Sequence, residues 1–188
     1  MFIVMEFAAG GDVKGLLEGG GGVADGVLRW KLYLQIATGL DAIHRANLIH
    51  MDLKPENVLL TAEHDARIAD LGMATFAEDD VTATQTHAGG TRGYQAPEIS
   101  TKKFSNKVDV WSLAVMFFEM AVGHIPDITT GALLAPLEAR DDAFTLELLQ
   151  LMLYLDSQRR PSAADVVERV ATLAQARAAA AAESARAE

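Results

Sequence analysis

The stretch His50-Met51-Asp52-Leu53-Lys54-Pro55-Glu56-Asn57 decides how this chain is read. Pro55 has no N–H to give to a helix, and its ring holds Lys54 out of helical geometry, so the segment is a loop rather than a helix continuation. It crowds Asp52, Lys54, Glu56 and Asn57 between apolar runs. A loop of that kind either turns the chain or carries chemistry.

On its N-terminal side, Leu28, Leu32, Ile36, Leu40 and Ile43 recur every three or four residues and predict an amphipathic helix over about 25–46. On its C-terminal side a short strand at 58–60 has a candidate partner at 66–69, with Glu63-His64-Asp65 as the turn between them. Residues 2–7 (FIVMEF) read as a buried strand ended by Ala8-Ala9-Gly10-Gly11, and 12–18 as a short helix with Asp12 as N-cap. The four glycines from Gly19 to Gly22 read as a flexible loop.

Residues 73–91 are long, aperiodic and rich in Thr, Ala, Gly and acids, which predicts a mobile surface loop with a functional role. Residues 106–122 are apolar on every side and predict a helix buried all round, the hub of the core. Helices are expected over about 142–154 and 162–173, the second opening after Pro161. The alanine-rich stretch 174–188 has almost no apolar face to dock and is set apart from a 1–173 domain, with no function assigned.

The chain has 188 residues, 50% hydrophobic and 22% charged, which suits one domain with a real core and argues against disorder. With 16 Lys+Arg against 26 Asp+Glu, its net charge of −10 repels nucleic-acid phosphates and anionic membranes, and a basic peptide is the better-tolerated partner. No cysteine is present, so disulfides, thiolate metal sites and a thiol nucleophile are excluded. The most apolar stretch, 108–122, is interrupted by Ser112 and Glu119, so no membrane insertion is expected, and an intracellular, cytoplasmic location follows as the expectation. His44, His64, His87 and His124 lack paired spacing for a metal and read as surface or partly packed residues.

Asp70-Leu71-Gly72, Gly90-Thr91 and Ala96-Pro97-Glu98 follow the opening stretch in order. Together these four pieces resemble the catalytic loop, metal-binding triplet and activation-segment end of protein kinases. Met5-Glu6-Phe7 is similar to the hinge, Asp109-Val110-Trp111-Ser112 to the start of the buried central helix, and Arg160-Pro161 to the late arginine that pairs with Glu98. Lys54 and the Gly90-Thr91 pair favour the serine/threonine type. The implied fold is the mainly α large C-terminal lobe of a protein kinase, with a small β element near 57–69 and the N-terminal lobe absent.

The resemblance implies ATP and Mg²⁺ as cofactors and a protein Ser/Thr hydroxyl as acceptor. Asp52 would orient and deprotonate that hydroxyl, Lys54 would carry charge toward the transferred phosphate, Asn57 and Asp70 would bind metal, and Thr91 would tie the activation segment to Asp52 and Lys54. The nucleotide would meet the backbone of Met5, Glu6 and Ala8 along its adenine edge, Leu59 beneath, Asp12 at the ribose and Asp70 through the metal. His50 would pack under the loop and Asp109 would hold the loop's backbone.

Two departures stand out. Met51 replaces the arginine usual between His and Asp, so a phosphate at Thr82, Thr84 or Thr86 would lack its pairing cation, and weak control by loop phosphorylation is expected. The likeness also starts at the hinge, without a glycine-rich loop or its following lysine, so the chain alone is expected to be weakly active or inactive. Two hypotheses remain open at this point: an incomplete serine/threonine kinase, or a kinase-like lobe that acts as a binding or scaffold module.

Overall fold

The computed structural model describes residues 6–19, 21–77, 90–101, 104–127, 134–140 and 142–187. Six helices and two small sheets are built from them: α1 Val13–Leu17, α2 Gly26–Arg45, β1 Leu48–Ile49, β2 Val58–Leu60, β3 Ala66–Ile68, β4 Thr75–Phe76, α3 Lys107–Val122, α4 Ala135–Glu138, α5 Ala143–Met152 and α6 Ala163–Ala187. The mainly α architecture with small β elements that the sequence led us to expect is what forms. Among the described residues, no helix is long and apolar enough to cross a membrane.

Helix α3 is the hub. Every residue from Val108 to Val122 is buried, and its sequence explains why: apolar side chains on every side gain by packing, each large one contributing about 1.5–3 kcal/mol when fully buried. Helix α2 packs on it through Tyr33, which stacks on Phe117 at 4.0 Å while its hydroxyl donates to the Phe117 carbonyl at 2.6 Å. Asp25 caps α2 by accepting from Val27 N at 2.8 Å and Leu28 N at 3.2 Å. Asp142 caps α5 through one oxygen, and its other oxygen takes Arg29 of α2 at 2.7 Å.

Strands β2 and β3 pair antiparallel with Leu59 opposite Arg67. Gly10 and Gly11 run beside β2, exchanging bonds with Leu60 at 2.9 Å each way. A side chain at Gly10 would stand 2.2 Å from the Thr61 carbonyl, so this approach requires glycine. The chain that follows is thereby fastened at Asp12, which bridges to Leu59 and caps α1.

Several expectations are corrected. Thr75 and Phe76, read as the start of a long loop, pair with Ile49 and Leu48 in a second sheet, because Leu48–Ile49 leaves an open edge for them. Phe7, read as part of a buried strand, is 86% exposed. Residues 135–138, which carry no helix signal of their own, form α4. The alanine-rich stretch, whose composition permits a helix, extends α6 to Ala187, with Ala174 packed on the core and Arg177 over Gly26 of α2. Alanine needs no apolar face to stay helical once a packed helix has nucleated it.

Candidate active site

The loop 50–57 is held from beneath. Asp109, fully buried in the first turn of α3, accepts the His50 N–H at 2.8 Å through Oδ2 and the Met51 N–H at 2.9 Å through Oδ1. His44 Nε2 lies 2.9 Å from the same Oδ2, with only 6% of its side chain exposed. Of the two readings of His44, surface or partly packed, the structure shows the packed one. Its signal was present, since 44 continues the 32, 36, 40 stripe of α2. His50 is buried, with Nε2 3.1 Å from the Ala69 carbonyl. Met51 stands at φ +71° with its side chain in the core.

Above this base, Asp52 is gripped on three sides. Its Oδ1 accepts from the Thr91 hydroxyl at 2.8 Å, and Lys54 Nζ is 2.9 Å from Oδ2 and 2.8 Å from Thr91 Oγ1. The Asn57 amide donates to the Asp52 carbonyl at 2.8 Å and to Oδ2 at 3.2 Å. Burial pushes the Asp52 carboxyl up, but hydrogen bonds from Lys54 and Thr91 outweigh it and hold the group below the usual carboxylate range. The 3₁₀ turn Pro55–Asn57 sets this geometry, with Lys54 extended before it at φ −159°.

Beside the loop lies a cavity of about 700 Å³. Glu6, Phe7, Ala8, Leu59 and Asp70 line it, together with Thr61, Arg67, Ile68, Ala69, Leu71 and Gly72. Arg67 shares the Leu59 face by register, a placement visible only once the strands pair. Asp12 is not on that lining, and one of its oxygens is engaged by Gly15 N at 2.9 Å. Met5, Thr82, Thr84, Thr86 and His87 lie outside the described residues.

Asp70 takes left-handed backbone, φ 60°, and its Oδ1 accepts from Gly72 N at 3.1 Å. Its second oxygen has no hydrogen bond among the described residues, and Asn57, which donates through nitrogen, keeps its amide oxygen in reserve. Two hard oxygens completed by phosphate and water suit Mg²⁺. No cluster of three or more acidic, His or Cys side chains able to hold a metal unaided occurs among the described residues.

Farther down, Arg160 forms a two-pronged pair with Glu98, at 2.5 and 2.8 Å, and its guanidinium lies 4.9 Å from the Trp111 ring centre. This clamps the segment after Thr91 to the helical body, as the resemblance implied for Glu98 and Arg160.

The chain belongs to the protein kinase family: the model of the protein kinase domain matches residues 1–170. It is 37% identical over 135 residues to CBL-interacting protein kinase 22 of Oryza sativa subsp. japonica, covering 67% of this chain and 30% of that protein. It is 34% identical over 133 residues to serine/threonine-protein kinase cds1 of Schizosaccharomyces pombe, covering 67% and 28%. Against cell division control protein 2 homolog 3 of Trypanosoma brucei brucei it is 35% identical over 127 residues, covering 66% and 40%. The matched region thus spans well under half the length of each of these relatives.

Proposed function

We propose that the chain supplies the acceptor side and the nucleotide floor of a serine/threonine protein kinase, which transfers the γ-phosphoryl group of ATP to Ser or Thr hydroxyls of proteins. The observation that carries this is the Asp52 carboxylate, kept ionised while Thr91 and Lys54 fix its direction. A hydroxyl placed at Asp52 gives up its proton to the carboxylate as its oxygen bonds to phosphorus; the bond from the γ-phosphorus to the bridging oxygen breaks, and ADP leaves.

Lys54 lies where its charge offsets that building on the transferred group. Leu59, with the backbone of residues 6–8 at its edge, forms an apolar seat for the adenine ring. Asn57 and Asp70 would hold Mg²⁺, which neutralises phosphate charge when bound. The chain's net charge of −10 favours a basic acceptor peptide.

Among the described residues no glycine-rich strand–loop–strand covers the phosphates, so binding is a sharper test than turnover. ATP with Mg²⁺ should raise the melting temperature of the wild-type chain, ATP with EDTA should raise it less, and Asp70→Ala should abolish the difference. No shift in the wild type would sink the proposal. The scaffold alternative gains no support from an acceptor site whose polar groups are all oriented.

A further inference from the structure

Helix α3 is apolar all round except where it carries a second carboxylate, Glu119, whose side chain is only 4% exposed. A carboxylate that dry persists only with donors on it. One oxygen receives the ammonium of Lys14 at 3.1 Å, and the other receives the phenol of Tyr94. These donors come from opposite sides of the site. Lys14 stands in α1, directly after the glycines fastened to β2 beside the cavity. Tyr94 stands three residues past Thr91, and it is pinned twice more: its N–H donates to the Thr91 carbonyl at 3.2 Å, and its carbonyl accepts from Ser112 at 2.8 Å. Thr91 in turn holds Asp52.

We propose that Lys14 is a positioning residue for the acceptor side, acting through Glu119 and Tyr94 on the segment that presents Thr91 to Asp52. The naming of that side rests on the kinase reading above; the physical linkage does not. Lys14 is 45% exposed, so its loss opens no cavity. What its loss leaves behind is a nearly dry carboxylate with Tyr94 as its one remaining side-chain donor among the described residues. Such a group turns toward water, and that movement withdraws the acceptor that fixes the Tyr94 ring. The pairing is tight enough to show on the lysine itself: the Glu119 hydrogen bond, with the charges of Glu119 and Glu56, holds the ammonium's pKa above its ordinary value against a smaller opposing effect of burial. A plain staple between α1 and α3 would have no influence on residues 91–94.

Amide hydrogen exchange separates the two cases without requiring turnover. In Lys14→Met, the amide at position 94 should exchange about tenfold faster, as expected when a charge-assisted bond is lost from a buried site, while the Leu60 amide, which bonds to the Gly11 carbonyl, keeps its rate. Lys14→Arg should restore slow exchange at 94. In a Tyr94→Phe background, Lys14→Met should add nothing. An unchanged rate at 94, an equal acceleration at Leu60, or an undiminished effect in the Tyr94→Phe background would each overturn the proposal. A chain that binds no nucleotide would still yield all of these rates, so failure of the kinase reading and failure of this linkage are separate results.

Discussion

Asp109 Oδ1 accepts the Met51 N–H at 2.9 Å, and Met51 sits in left-handed backbone at φ +71°. A non-glycine residue held there costs about 1–2 kcal/mol, so the bond from the buried helix below is what keeps the loop in this shape. The same carboxylate also satisfies the His50 N–H and His44.

Asp109→Ala strips acceptors from all three groups at once. The expected loss is about 3–5 kcal/mol in urea unfolding, the range for breaking a buried charged network. Asp109→Asn keeps the shape and one acceptor and should lose less. A loss under about 1 kcal/mol for the alanine variant would show that the network is not what holds the loop.

Gly90 stands at φ +100°, and a Cβ there would lie 2.6 Å from the Met51 carbonyl. Gly90→Ala should therefore cost about 1–3 kcal/mol and push Thr91 off Asp52. The second effect has its own readout, because loss of the Thr91 hydroxyl bond should move the Asp52 titration upward. An unchanged Asp52 titration in a destabilised variant would break the link between Gly90 and the carboxylate.

The Asp52 carboxyl titrates below its ordinary value of 3.8 in the folded chain. A depressed folded value means that its contribution to stability is present above the ordinary carboxylate range and is lost as pH falls through the lower folded value. Lys54→Met removes the largest lowering influence and leaves burial opposed chiefly by Thr91, so the titration should shift up. Carbon-13 detection of the carboxyl checks this; a downward shift or none would contradict it.

Much of this was legible in the order of residues. The helix read over 25–46 is α2, Gly26–Arg45, and the one read over 106–122 is α3, Lys107–Val122, because periodicity and capping act within a few residues of chain. That Asp52, Lys54 and Thr91 meet was implied by the family resemblance which the motif order carries, and the three do lie within hydrogen-bonding distance. The pairing of Thr75–Phe76 with Leu48–Ile49 was not, since two-residue strands carry no periodic signal and form only when an edge is offered. Nor was the place of His44, whose apolar-stripe position says that it is buried but not against what.

The residues alone determined that 50–57 is a loop and that the helix over 106–122 has no wet face. Those outcomes follow from backbone sterics and hydrophobic patterning, which are local. Only the tertiary structure decided which donors meet each buried carboxylate: His44 and two backbone amides on Asp109, Lys14 and Tyr94 on Glu119. A carboxylate taken out of water must find donors, yet which residues answer depends on elements up to 105 positions apart being packed on one helix.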